Sequence, residues 1–270
     1  MIIKYRWTFY TFSLICVAFS VLMLLNKGLN WGIDFKGGSL LEVSGEIDPN
    51  KLPQDLEFNL QKTENSTILR FKEIDEETHQ QILANLGREE LRFESIGPVV
   101  GEELKQKAIW AVVLVLILII FYIAWAFRKI KNPFKYGLLA VVALIHDALI
   151  TIGVFSFLEL EINVAFIVAI LTILGYSVND TIVVFDRIRE NLIKVKGGVK
   201  TIVSLSIKQV FRRSLFVSLT TLLSLLVIFF FGGESLHNFA LALIVGISFG
   251  TYSSIFIASA LLVSWSREID

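Results

Sequence analysis

Six apolar runs, each long enough to cross a bilayer, constrain this chain more than any other feature. They cover residues 7–25, about 108–127, 136–157, 163–186, 214–231 and 236–264. A hydrocarbon core of roughly 30 Å needs about 20 apolar residues in a helix, and every run approaches or exceeds that length. With 54% of its 270 residues hydrophobic, the chain has the balance of a polytopic membrane protein carrying one soluble insert. The first run follows Lys4 and Arg6 and has no small-residue cleavage site after it, so it reads as a retained anchor.

Charge in the connections sets the topology. Residues 128–135 carry four basic residues and no acid, and residues 187–213 carry eight basic residues and one acid, Glu190. The alternate connections, 158–162 and 232–235, have no Lys or Arg and contain Glu159, Glu161 and Glu234. The positive-inside rule then places both termini in the cytoplasm and residues 27–107 outside. That segment holds ten Lys/Arg against sixteen Asp/Glu. It is long enough for a small domain with a modest core. Its strands are expected at 39–43, 67–72 and 91–95 and its helices at 53–61 and 75–86. Asp75 is the expected N-cap and Gly87 the stop. The order suggests a small α+β ferredoxin-like unit. The domain boundaries are therefore 1–26, 27–107 and 108–270.

Residues 172–191, TILGYSVNDTIVVFDRIREN, are the focus of the chemistry. Thr172, Tyr176 and Asp180 are spaced i, i+4, i+8, so a helix gathers them into one polar stripe, with Ser177 and Asn179 beside it. If the helix leaves the bilayer near Asp186, Asp180 lies roughly 9 Å inside it. An ionisable carboxyl at depth costs roughly 2.5–3.5 kcal/mol on insertion scales and needs a partner, a water-filled cavity or a proton. Proton or ion coupling is favoured over helix glue for Asp180. For Asp147, beside His146 in the third run, structural and functional roles weigh equally.

The fifth run opens with Arg212, Arg213 and Ser214 and continues through Ser218, Thr220, Thr221 and Ser224. Arg213 falls in the same inner third of the membrane as Asp180. Two readings stay open for it: a partner for the carboxyl, or a side chain snorkelling to lipid headgroups. Gly246, Gly250, Ser254 and Ala258 repeat at i+4 in the sixth run, a ridge suited to close helix packing. Cys16 is the only cysteine, so no intrachain disulfide and no metal cluster is expected. No Walker loop, nucleophile elbow or HExxH helix is present, so any energy source lies elsewhere and no enzyme chemistry is expected.

Residues 175–191, GYSVNDTIVVFDRIREN, resemble the signature of the SecF family, the membrane subunits that work with SecD beside the bacterial Sec translocase. WGIDFKGGSLLEV at 31–43, IGPVVGEEL at 96–104, HDALITIGVFSF at 146–157, FRRSLFVSLTTLL at 211–223 and FALALIVGISFGTYSSIFIASALLV at 239–263 are similar to the same family. The resemblance implies half of an RND-type core in the bacterial cytoplasmic membrane. Its implied partners are a SecD-like subunit, the SecYEG translocon, preprotein and lipid; no cofactor, metal or nucleic acid is implied. It also implies proton coupling through Asp180, with Arg213 or its neighbour Arg212 as partner and Thr220 and Thr221 on the same helix. Gly37 and Gly38 let the chain turn sharply into the first strand, and Asp34 and Lys36 read as structural. Two rivals remain: a small-molecule RND half, which would have a much larger exported domain, and a structural subunit that holds SecD.

Overall fold

The computed structural model describes residues 2–53, 56–62, 65–130 and 132–266; Gln54, Asp55, Glu64 and Lys131 lie outside them. The chain begins with α1 (Arg6–Lys27), β1 (Asn30–Trp31), α2 (Ile33–Lys36), β2 (Gly38–Ser44), β3 (Phe58–Lys62), β4 (Ser66–Phe71), α3 (Glu76–Leu86) and β5 (Glu90–Ile96). It continues with α4 (Pro98–Ala126), α5 (Pro133–Phe157), β6 (Glu161–Ile162), α6 (Val164–Lys194), α7 (Val199–Phe231) and α8 (Glu234–Tyr252). A π-helical stretch, Ser253–Ala258, then leads into α9 (Ser259–Ser266). Two compact units result, residues 1–30 with 111–270, and residues 31–110.

The smaller unit is α+β. Its antiparallel sheet runs β3-β4-β2-β5, with Leu41 of β2 opposite Leu69 on one side and Phe93 on the other. Leu41, Val43, Leu69 and Phe71 pack with Ile82 and Leu86 of α3 into one buried core. Asp75 caps α3 by accepting the Thr78 amide at 2.9 Å, and Gly87 ends it in the left-handed region at φ 58°. Gly37 (φ 76°) ends α2 and donates its amide to Ile33. A Cβ there would stand 2.7 Å from the Pro98 backbone, so only glycine fits.

One element departs from expectation. Residues 53–61 do not form a helix over their described length: 58–61 belong to β3. The reason is the period. Leu56, Phe58 and Leu60 alternate with Glu57, Asn59 and Gln61, and all three apolar residues pack on the core. A repeat of two is a strand pattern, which a helix would scatter around its circumference.

Six helical stretches among the described residues are long and apolar enough to cross a membrane: Ile3–Lys27, Pro98–Ala126, Pro133–Phe157, Val164–Lys194, Val199–Phe231 and Leu236–Ser266; five lie in the larger unit, and Pro98–Ala126 belongs to it from Ala111 on. Small residues set their approach. A Cβ on Gly153 of α5 would fall 2.2 Å from the Ser20 side chain of α1, and one on Gly137 would fall 2.7 Å from the Ile120 carbonyl of α4. At the end where α1 and α5 stop, Lys27 lies 2.6 Å from Glu159 and holds that carboxyl below its ordinary range.

A second correction concerns residues 187–213, expected as a connecting loop. Only 195–198 connect; α6 runs on to Lys194 and α7 starts at Val199. Ile188 and Asn191 of α6 and Ile202, Val203, Ser206, Ile207 and Val210 of α7 are buried. That helical spacing keeps an inner face apolar while the basic residues face out, so the charges do not end the helices.

Candidate functional site

The polar interior of the larger unit is assembled on α6. Ser177, Asp180 and Thr181 stand at i, i+3 and i+4, so one face of the helix presents all three to its neighbours. Each is buried, and each meets a different group.

Asp180 is 3% exposed. Its Oδ2 accepts from Ser218 Oγ of α7 at 3.3 Å and from Thr251 Oγ1 of α8 at 3.5 Å. Both bonds are long. The two hydroxyls bind each other at 2.6 Å, and each also reaches a carbonyl of its own helix, Ser218 to Ser214 and Thr251 to Ile247. Among the described residues Asp180 makes no ion pair. One turn earlier, Tyr176 Oη lies 3.3 Å from Thr221 Oγ1 and continues the polar seam between α6 and α7.

Arg213 is not brought to Asp180. It is exposed and lines a cleft of about 310 Å³ with Val183, Asp186, Arg187, Glu190, Gln209 and Val210. Arg212 lies over the Phe216 ring at 5.3 Å. Asn179 and Thr220 are exposed, and the Thr220 hydroxyl turns back to the Val217 carbonyl.

Asp147 of α5 is fully buried and far better supplied with donors. Its Oδ2 accepts from Ser177 at 2.6 Å and from Ser253 at 2.8 Å, and His146 Nδ1 lies 2.9 Å from Oδ1. His146 Nε2 is 3.1 Å from Ser13 Oγ of α1, and Ser13 in turn is 3.4 Å from Tyr252 Oη, which donates to the Phe9 carbonyl at 2.9 Å. Thr181 Oγ1 and Ser254 Oγ sit 2.7 Å apart, and Ser254 also donates to the Ser177 carbonyl.

The π-helical stretch carries two of these groups. Ser253 reaches α5 and Ser254 reaches α6, as adjacent helical residues pointing about 100° apart can do. Such π stretches concentrate at functional sites. The same helix approaches α6 closely: a Cβ on Gly246 would lie 2.2 Å from Ile173, and one on Gly250 3.0 Å from Ser177. Ser13, Thr251, Tyr252 and Ser253 escaped the sequence reading. Isolated hydroxyls in apolar helices carry no signal until their partners are known.

Comparison with known proteins gives one consistent family. The family described as "Protein export membrane protein SecD/SecF, C-terminal" matches residues 78–268, and the "SecD/SecF GG Motif" matches residues 23–46. A protein translocase subunit SecF of Thermobaculum terrenum is 40% identical, aligned over 99% of this chain and 94% of its own. One from Sebaldella termitidis is 42% identical over 97% of this chain and 90% of its own. The crystal structure of SecDF, a translocon-associated membrane protein from Thermus thermophilus, is similar with a TM-score of 0.88 at 34% identity. That match covers 98% of this chain but 38% of the SecDF chain, so this chain spans about two fifths of it. Motif, length and fold agree, and the chain belongs to the SecF family of protein-export membrane subunits.

Proposed function

We infer that this chain is the SecF-like half of a proton-driven accessory unit of the Sec translocase, working with a SecD-like partner to help draw preprotein across the cytoplasmic membrane. One observation carries the mechanism: Asp180 is buried at the junction of α6, α7 and α8 with two long hydroxyl bonds and, among the described residues, no cation on it. A carboxyl in that setting can gain a proton without breaking a strong bond, and can lose it again when a counter-charge or water arrives. Protonation then biases two arrangements of α6 against α7, and residues 31–110 respond as the moving exported unit.

A SecD-like partner is supported by the outer faces of α6 and α7. Thr172, Asn179, Thr220 and Ser224 are exposed at the depth of the apolar runs, where lipid contact would be unfavourable. A partner helix laid there would cover them and offer Asp180 a counter-charge in the assembled unit. Arg213, at the cytoplasmic end of the same seam, acts on entry or exit of the proton from the cleft it lines. Both termini are cytoplasmic on this reading, because the basic connections cluster on that side.

The decisive experiment is Asp180→Asn in membrane vesicles with the SecD-like subunit present. Asn keeps the carbonyl acceptor but cannot take up or release a proton near neutral pH. Assembly is expected to stay normal while stimulation of export by the proton gradient is lost. Full stimulation in that variant would refute coupling through Asp180 and leave the structural-subunit reading.

A further inference from the structure

His146 and Asp147 form a buried titratable pair that the mechanism above does not use. Asp147 is 0% exposed and His146 8%. Four elements converge on them: α1 with Ser13, α5 with the pair itself, α6 with Ser177, and the end of α8 with Tyr252 and Ser253. The other titratable groups facing this cluster are Tyr252, Cys16 on the Ser13 face of α1, and Asp180 one turn beyond Ser177. The ion-pair partner of Asp147 is His146.

Counting donors and acceptors shows what the cluster can hold. Ser177 and Ser253 fill Oδ2 of Asp147, and the His146 Nδ1 proton fills Oδ1. Tyr252 uses its proton on the Phe9 carbonyl. The remaining movable proton is that of Ser13 Oγ, which has two acceptors within reach: His146 Nε2 at 3.1 Å and Tyr252 Oη at 3.4 Å. With a neutral imidazole, Ser13 donates to Nε2. When Nε2 takes up a proton, that N–H donates to Ser13 Oγ, and the Ser13 proton turns to Tyr252 Oη. Both arrangements leave these buried polar groups paired, and only one hydroxyl rotates between them.

Charge points the same way. Without the extra proton the pair carries the carboxylate charge of Asp147 in a buried site; with it, the pair is neutral overall. A site made only for helix packing would not need two satisfied protonation states.

We propose that His146–Asp147 is a second proton-binding site of the membrane-spanning unit, switched through Ser13 and Tyr252 and separate from Asp180. It does not rest on the Asp180 reading. Ser253 joins it to the segment that also carries Thr251, the Asp180 donor, so a proton held here bears on the same stretch of α8.

The test uses the full chain in lipid nanodiscs with nitrogen-15-labelled histidine. The chain has three histidines, and the His146 signal is the one missing in His146→Gln. As the buffer is taken from alkaline to acid, the ring nitrogens of His146 are expected to change from the pattern of a neutral imidazole to that of one protonated on both nitrogens. The change should persist in Asp180→Asn, and its midpoint should move to lower pH in Asp147→Asn, where no carboxylate favours the imidazolium. Ser13→Ala removes only the hydroxyl on Nε2 and serves if Asp147→Asn does not fold; it should move the midpoint as well. A His146 signal that stays constant across the range would overturn the proposal, as would a midpoint unmoved by whichever of the two substitutions folds. Loss of export stimulation in Asp180→Asn bears on Asp180 alone, so the two readings fail separately.

Discussion

The surroundings of Asp147 and Asp180 differ in kind, although both are buried: Asp147 of α5 meets α6 and the π-helical stretch, and Asp180 of α6 meets α7 and α8. Asp147 has three donors at 2.6–2.9 Å from three different residues. Asp180 has two at 3.3 and 3.5 Å, and both donors hold alternative acceptors. A saturated carboxylate is part of the architecture, and removing it strands its partners. An under-bonded one can change its charge at small structural cost. The two surroundings therefore divide the work: one fixes α1, α5, α6 and α8 together, and the other leaves the α6–α7 seam free to respond.

The largest expected effect follows directly. Asp147→Ala leaves His146 Nδ1 and Ser177 without their acceptor, Ser253 keeping only the Gly250 carbonyl at 3.2 Å, and should cost about 3 kcal/mol. Asp180→Ala should cost under about 1 kcal/mol, because Ser218 and Thr251 still bond to each other and to their own helices. Thermal unfolding of the two variants in one detergent measures the difference. Equal losses would break the comparison.

Gly250→Ala probes the Asp147 side from the helix backbone. The added Cβ would lie 3.0 Å from Ser177 Cβ and 3.5 Å from Asp147 Oδ2, so α8 must yield by a few tenths of an ångström. Overpacking of this kind costs about 1–2 kcal/mol, read as a lower unfolding temperature. Asp180 should keep its role in this variant, so gradient-driven export per folded molecule should be unchanged. Hydroxyl deletions are smaller still. Ser253→Ala removes a 2.8 Å bond to a buried carboxylate and should cost about 1 kcal/mol, while Ser218→Ala removes a 3.3 Å bond and should cost a few tenths. Reversal of that order would mean that Asp180 is the tighter site.

The sequence already contains the outline of both surroundings. Six spans follow from length and hydropathy alone, and Asp180 stands out because an ionisable group in an apolar helix is rare. What stayed hidden was partnership. Ser254 reads as part of a small-residue ridge and Ser253 carries no signal; the π-helical stretch that holds both has no proline or other breaker to announce it. Arg213 looked close to Asp180 because both fall near the inner surface in a linear count. With α6 and α7 continuing as helices to Lys194 and from Val199, Arg213 faces the cleft beside Asp186 and Glu190 instead. In the smaller unit, the helix expected at 53–61 fails at 58–61, because a repeat of two is easily taken for a weak helix when the run is short.

A third carboxylate supplies the water-side control, and its effect is the smallest. Asp75 is in solvent, where it caps α3 through the Thr78 amide at 2.9 Å. Bonding to Thr78 holds its carboxyl below the ordinary aspartate range, against a weak opposing desolvation. The folded value is depressed, so the stabilisation is complete above the ordinary range and drains away as pH falls through the folded value. Asn caps a helix comparably without a charge. Amide exchange at Thr78 in the full chain, compared between the native protein and Asp75→Asn, isolates the charge. The native protein should protect this amide better at neutral pH through the carboxylate's interaction with the helix N-terminus. The advantage should vanish in acid once Asp75 is protonated. An advantage that persists there would show that geometry, not charge, makes the cap.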